Sequence, residues 1–106
     1  GNAGTALGYV NALRERAYGD NSANINANEM TLEFILDERA RELYWECHRR
    51  TDLIRFGKFT GGDYVWEWKG NVQAGTATSA YRDLYPIPAN DLNANPNLVQ
   101  NSGYVQ

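Results

Sequence analysis

The sequence has very little cysteine or histidine and no strong excess of charge of either sign. Its 106 residues include one cysteine and one histidine, so a disulfide bond within the chain is excluded. The formal net charge is −3, which gives none of the basic character that binding to nucleic acid or to an anionic membrane surface requires. No apolar run approaches the roughly 18–20 residues of a membrane-spanning helix. These absences disfavour nucleic acid and membrane lipid as partners of these residues.

Apolar and aromatic residues are present in the amounts that a small globular core needs. Hydrophobic residues make up 42% of the chain, and three of its aromatic residues are tryptophan. This composition is typical of a folded chain rather than a disordered one. At this length we expect at most one domain, residues 1–106, with a small core.

The segment 31–57 carries the strongest pattern in the chain. Its apolar residues recur at helical spacing and predict one buried stripe: Leu32, Ile35, Leu36, Ala40, Leu43, Tyr44 and Cys47. Thr31 is a good N-cap, so a helix is predicted from there to Cys47 or His48. A short helix, 50–56, is predicted to follow and to stop at Gly57.

The remaining segments predict one further helix and then irregular structure. Residues 5–17 read as a helix that ends at Gly19. Residues 64–69 alternate with period two, which predicts a strand in a short hairpin or extended segment. The prolines make residues 85–88 extended, and an asparagine-capped turn at 90–92 precedes an irregular tail. The predicted fold class is therefore mainly α.

The charged residues of the segment 31–57 admit three interpretations. A pair among Glu38, Glu42, Glu46 and Asp52 resembles the carboxylates of a glycosidase, but each has an arginine close by in sequence, which lowers carboxyl pKa values and disfavours a general acid. The run Glu46-Cys47-His48 suggests a metal site, but no second Cys/His pair exists to complete the ligands. We therefore predict a structural ion-pair network, with no metal and no cofactor: Arg39, Glu42, Glu46, Arg49 and Asp52.

Three aromatic residues form the one ligand surface that the sequence suggests. On a strand, Tyr64, Trp66 and Trp68 would share one face as a row of flat rings. Such rings suit the apolar faces of pyranose sugars. The same face would also serve for packing against helices, and the pattern leaves both interpretations open.

Motifs along most of the chain resemble those of the SusD/RagB family. The central motif is the run Ile35-Leu36-Asp37-Glu38-Arg39-Ala40-Arg41-Glu42-Leu43, followed by Glu46, His48-Arg49-Arg50 and Asp52-Leu53-Ile54-Arg55. The helix containing Asn11-Ala12-Leu13-Arg14-Glu15-Arg16-Ala17 is similar to the one that precedes this motif. Tyr85-Pro86-Ile87-Pro88, Asn95-Pro96-Asn97-Leu98, Gln100-Asn101 and Gly103-Tyr104 resemble the family's C-terminal ending.

The resemblance implies both a fold and a function. It implies the C-terminal portion of a longer, helical, tetratricopeptide-containing lipoprotein on the outer-membrane surface of Bacteroidetes, with its N-terminal lipid anchor outside these residues. Such proteins are not enzymes; they bind starch, other glycans or other nutrients and work with a SusC-like TonB-dependent transporter. Alternatively, this portion braces the scaffold or docks the transporter while other segments hold the ligand. The family commonly has glycine where Cys47 stands, so we expect a differently built corner there.

Overall fold

A computed structural model describes residues 2–105, and the prediction of a mainly helical fold is confirmed. Those residues contain four α-helices and two short 3-10 helices, and they contain no β-strand. The α-helices are α1 (Ala3–Tyr18), α2 (Leu32–Glu42), α3 (Arg49–Arg55) and α4 (Ala89–Ala94), and the 3-10 helices are Lys69–Asn71 and Ala80–Asp83. The chain forms two compact units, unit 1 (Gly1–Arg49) and unit 2 (Arg50–Gln106).

Local capping fixes the two ends of α1. The Asn2 side chain accepts a hydrogen bond from the Thr5 N–H, and Gly19 takes a left-handed conformation with φ 83°. The Gly19 N–H donates to the Glu15 carbonyl at 2.8 Å, so this carbonyl in the last turn of the helix has a hydrogen-bond donor. The predicted end of this helix at Gly19 is confirmed.

Helix α2 begins as predicted and ends earlier than predicted. The Thr31 hydroxyl accepts from the Phe34 N–H at 3.1 Å, which confirms the N-cap. The helix stops at Glu42, so the predicted end at Cys47 or His48 is wrong. Trp45 and Cys47 adopt positive φ values of 67° and 60°, which a right-handed helix does not allow. The corner before α3 is therefore built from two left-handed residues that are not glycine.

Helix α3 follows the corner and leads into the small core. Leu53 and Asp52 are buried, at 4% and 3% exposed. Beyond the helix Gly57 has φ 65°, and the Lys58 N–H donates to the Leu53 carbonyl at 2.7 Å. The predicted short helix that stops at Gly57 is confirmed to within one residue.

The predicted strand at 64–69 is wrong. This segment turns instead, because Trp68 has φ 67° and leads directly into the 3-10 helix Lys69–Asn71. Its backbone hydrogen bonds are mostly local, as when the Lys69 N–H donates to the Trp66 carbonyl at 3.1 Å. An alternating sequence forms a strand only where a neighbouring strand pairs with its backbone N–H and carbonyl groups. Within residues 2–105 the one bridge of that kind is the isolated antiparallel pair Gly61–Thr78.

The C-terminal part of unit 2 combines α4 with an irregular tail that side chains hold in place. Helix α4 begins after Pro88, which makes no side-chain cap, so the predicted asparagine cap is wrong. The irregular tail is confirmed, and several of its side chains hydrogen-bond to backbone groups of residues 84–87. The Tyr104 hydroxyl donates to the Leu84 carbonyl at 2.7 Å, and Asn101 Nδ2 donates to the Tyr85 carbonyl at 2.7 Å.

Candidate functional site

In unit 1, Glu38 of α2 pairs with two arginines. Glu38 Oε2 lies 2.8 Å from Arg14 Nη1 and 2.6 Å from Arg41 Nη2. The side chains of Arg14 and Glu38 are only 13% and 14% exposed. Because Glu38 is held between two guanidinium groups, this arrangement suits fixing α1 to α2 rather than transferring protons.

Two residues of the predicted ion-pair network have partners outside the predicted set. Glu42 pairs with Arg16 of α1. Arg49 Nη1 donates to the Leu36 carbonyl at 2.8 Å, and its Nη2 lies 3.7 Å from Asp37 Oδ1. The five-residue network therefore stays a prediction, and Arg14 and Arg16 are participants that the sequence argument missed. One feature of the sequence could have indicated them. Glu38 and Glu42 are four residues apart, which places two negative charges together on one face of the helix, and such a pair requires basic neighbours.

The corner between α2 and α3 presents two aromatic rings to solvent. Tyr44 is 75% exposed and Trp45 is 84% exposed, and their rings meet edge to face with centroids 6.1 Å apart. Cys47 is a free, exposed thiol. Leu32 is 70% exposed, so the predicted burial of Leu32, Tyr44 and Cys47 is wrong. Among residues 2–105 no three His, Cys, Asp or Glu side chains come together as a metal ion would need. No helix in that range combines the length and apolar character needed to cross a membrane.

In unit 2 the structure places Trp66 at the centre of an aromatic cluster. Its ring centroid lies 6.4 Å from that of Phe59 in a stacked arrangement and 6.0 Å from that of Tyr64 in a tilted one. Trp68 points into solvent and is 62% exposed. The structure thus brings Tyr64 and Trp66 together, and Trp68 is the freely exposed ring of the predicted set. Their role in sugar contact stays a prediction.

Lys69 fixes the segment that carries Trp66. It is only 2% exposed, and its Nζ donates to the Tyr64 carbonyl at 2.6 Å. The same ammonium lies 4.7 Å from the centroid of the Trp66 ring, within the range of a cation–π contact. The Lys69 carbonyl also accepts a hydrogen bond from the Thr76 N–H at 3.0 Å. Lys69 therefore connects Tyr64, which precedes it in the chain, with Thr76, which follows it.

Glycine at position 75 allows the loop to lie against the Trp66 backbone. Gly75 has φ 74°, and a Cβ there would lie 2.2 Å from the Trp66 carbonyl oxygen. No other residue type fits such an approach in a left-handed conformation without moving the backbone. The position of Trp66 thus depends on a close contact that the sequence does not reveal.

A pocket of about 430 Å³ opens beside Trp66, and we call it the Trp66 pocket. Its lining includes the rings of Trp66 and Phe59, the cationic residues Lys69 and Arg82, and the polar residues Asn71 and Thr78. The volume falls within the range of small-molecule sites. None of the described residues that line it is acidic. The pocket combines apolar rings, hydrogen-bonding groups and positive charge.

Arg50 contacts two residues that line this pocket. Its guanidinium lies 3.8 Å from the centroid of the Tyr85 ring and 4.8 Å from that of Phe59. Nη2 donates to the Arg82 carbonyl at 2.8 Å and to the Asp83 carbonyl at 3.2 Å. Arg50 therefore links one lining residue, Phe59, to the backbone of another, Arg82.

Comparisons with known proteins agree on one family. The chain matches the SusD family over residues 1–104. It is 45% identical over 101 residues to the starch-binding protein SusD of Bacteroides thetaiotaomicron, covering 95% of this chain and 18% of that protein. It is 36% identical over 111 residues to SusD-like protein P25 of Formosa agariphila, covering 93% of this chain and 20% of that protein. The chain thus spans about a fifth of the length of these relatives.

Proposed function

Since the chain belongs to the SusD/RagB family, we propose that it is part of a non-catalytic protein that binds oligosaccharide at the surface of the bacterial outer membrane. The observation that carries this proposal is the 45% identity to a relative named for starch binding, over nearly the whole chain. That relative is about five times longer than the aligned segment. The proposal therefore concerns the larger protein to which these residues contribute.

Within that protein we propose that bound oligosaccharide passes to a SusC-like TonB-dependent transporter. The motifs that resemble the SusD/RagB family support this partner and support a lipid anchor outside these residues. Ligand binding without turnover agrees with the ion pairs of α2, where Glu38 is held by two arginines. We propose no catalytic residue and no cofactor.

The Trp66 pocket is the sugar-contact surface that we propose for this chain. The rings of Trp66 and Phe59 offer apolar faces, and the hydroxyl and amide groups around them offer donors and acceptors for sugar hydroxyls. Flat rings beside a few placed polar groups are typical of small-molecule sites. The exposed ring of Trp68 lies two residues along the chain and extends the surface available to a longer oligosaccharide.

The test is a titration of the protein with maltotriose and longer malto-oligosaccharides by isothermal calorimetry. Replacing Trp66 with alanine should weaken binding by about tenfold, equivalent to roughly 1.4 kcal/mol. Trp68→Ala should weaken binding of the longer ligands, and its exposed position makes a folding defect unexpected. Trp45→Ala is the matched control, because Trp45 is likewise an exposed tryptophan but lies in unit 1, and it should leave the affinity unchanged.

A second function has an observation in its favour. Trp66 already contacts Phe59, Tyr64 and Lys69, which is what a packing role requires. Among residues 2–105, fourteen large hydrophobic residues are exposed while only Leu36 and Leu53 are buried apolar residues, so much apolar surface is open to a protein partner. In this alternative the segment braces the scaffold or docks the transporter, and ligand binds elsewhere. Unchanged affinity together with lower stability in Trp66→Ala would favour it.

A further inference from the structure

We propose that the Trp66 pocket selects an anionic sugar residue, one that carries a carboxylate or a sulfate ester. This inference rests on the proposed function and adds to it the chemical class of the ligand. It follows from the charge that lines the pocket, from the burial of one of the cations, and from the neutral groups placed around them. Each of these observations comes from unit 2 alone.

Lys69 carries a buried positive charge. The residue is only 2% exposed, and the contacts of its ammonium are a carbonyl oxygen at 2.6 Å and the Trp66 ring at 4.7 Å. Neither contact carries a full negative charge. Buried charges in proteins are normally paired with an opposite charge, because removing an ion from water is costly. Lys69 therefore leaves a positive potential at the surface of the pocket beside Trp66.

A second cation, Arg82, has no carboxylate beside it among the lining residues. Arg82 also lines the pocket, and its side chain is exposed. The acidic residue next to it, Asp83, turns to Thr60, whose Oγ1 donates to Asp83 Oδ2 at 3.2 Å. Two cations thus border one pocket that no acidic residue of the described chain lines. The sum of their fields favours an anion.

The pocket fits a sugar better than it fits a bare inorganic ion. A pocket of about 430 Å³ is far larger than sulfate or acetate needs. Its remaining lining includes two aromatic rings and the polar side chains of Asn71, Thr76, Thr78 and Ser79. Rings stack on the C–H face of a pyranose, and hydroxyl and amide groups match its hydroxyls. An acidic sugar would use both sets of groups at once.

The experiment compares ligands of similar size that differ in charge. The full-length protein is titrated with trigalacturonate, with a sulfated disaccharide and with neutral maltotriose, and acetate and sulfate serve as ion-only probes. We expect at least one anionic sugar to bind about tenfold tighter than maltotriose. Raising NaCl from about 20 to about 200 mM should weaken that binding and leave maltotriose binding nearly unchanged.

Two variants locate the effect in this pocket. Arg82→Gln removes an exposed positive charge. The contact of Arg82 with Arg50 should remain, because Arg50 donates to the backbone carbonyl of residue 82. The substitution should weaken binding of the anionic sugar about fivefold or more. Thr78→Val keeps the shape of the side chain and removes its hydroxyl, so it should weaken binding of every sugar. Arg55→Gln, which replaces an exposed arginine of α3 outside the pocket, is the matched control and should change nothing.

The outcomes separate this inference from the function on which it rests. Anionic sugars bound more tightly than maltotriose, with the preference lost in Arg82→Gln, would support it, and the carboxylate and sulfate arms then identify the preferred group. Equal binding of maltotriose and the anionic sugars, or an unchanged preference in Arg82→Gln, would overturn it while oligosaccharide binding stands. Binding of acetate or sulfate as tight as that of the sugars would also overturn it. Failure of every sugar to bind would overturn the proposed function itself.

Discussion

Gln100 pairs with the backbone of Ile87 as a neighbouring β-strand would. Its Nε2 donates to the Ile87 carbonyl at 2.9 Å, and its Oε1 accepts from the Ile87 N–H at 2.9 Å. The same oxygen accepts from the Asn101 N–H at 2.9 Å. One amide side chain therefore satisfies both backbone groups of Ile87 between the two prolines, where the described residues offer no strand to do so.

Replacing Gln100 with alanine should lower the free energy of unfolding by about 1–3 kcal/mol, because the part-buried N–H and carbonyl of Ile87 lose their partners. Urea denaturation followed by circular dichroism measures the change. Gln73→Ala is the control, since Gln73 is exposed and should tolerate the change within about 0.5 kcal/mol. Equal effects of the two substitutions would contradict the role assigned to Gln100.

Two glycine substitutions should move stability in opposite directions. Gly103 has φ 91°, and a Cβ there would lie 2.4 Å from Cγ of Tyr81, so Gly103→Ala should cost about 1–3 kcal/mol. Gly8 lies inside α1, and an alanine Cβ at that position would meet nothing within 4 Å, so Gly8→Ala should stabilise by about 0.5–1 kcal/mol. Thermal unfolding of both variants tests the pair. A stabilised Gly103→Ala would show that the tail does not pack on Tyr81.

Arg49, a member of the predicted ion-pair network, contacts two groups of α2. Arg49→Met should lower the free energy of unfolding by about 1–3 kcal/mol, because the Leu36 carbonyl loses its donor and Asp37 loses a nearby cation. Arg16→Met is the control, because the Arg16 side chain is 66% exposed and exposed pairs contribute about 0–1 kcal/mol. Calorimetry of both variants, with oligosaccharide affinity measured alongside, separates a structural loss from a ligand-binding one.

The carboxyl group of Asp20 should titrate with a pKa below its ordinary value of 3.8. Hydrogen bonds from the Ser22 hydroxyl and from the Ser22 N–H stabilise its ionised form and lower its pKa. Because the folded pKa is lowered, the contribution to stability is present above the unfolded value and is lost as pH falls through the folded value. NMR titration should find the Asp20 pKa shifted back toward 3.8 in Ser22→Ala. An unchanged pKa in that variant would leave the N–H as the whole cause.

Local rules predicted those parts of the fold that depend on neighbouring residues. Thr31 caps α2, and Gly19 and Gly57 follow helix ends with positive φ, because each of these effects acts within one turn of chain. The end of α2 could not be predicted in this way. Trp45 and Cys47 take left-handed conformations that local preference reserves for glycine and asparagine, so local preference does not predict a helix end here.

The structure of the candidate site likewise could not be predicted from neighbouring residues alone. The period-two alternation singled out Tyr64, Trp66 and Trp68 and predicted a strand, but a strand needs a partner that sequence alone does not supply. Lys69 and Arg82 lie thirteen positions apart, and the loop that brings both to one pocket depends on the close approach at Gly75. Contacts between distant positions of this kind leave no periodic signal in the sequence.

The attachment of the tail to residues 84–87 also sets an order of events during synthesis. Chains emerge from the ribosome at about 5–20 residues per second, and their N-terminal parts fold first. Unit 1 can close as soon as Arg49 has emerged, whereas residues 84–87 wait for Gln100 and Tyr104. A chain that stops before Gln100 would therefore leave backbone groups of residues 84–87 without these partners, and unit 2 would be more open to proteases. Ending the chain at position 99 should therefore increase proteolytic cleavage near residues 84–87.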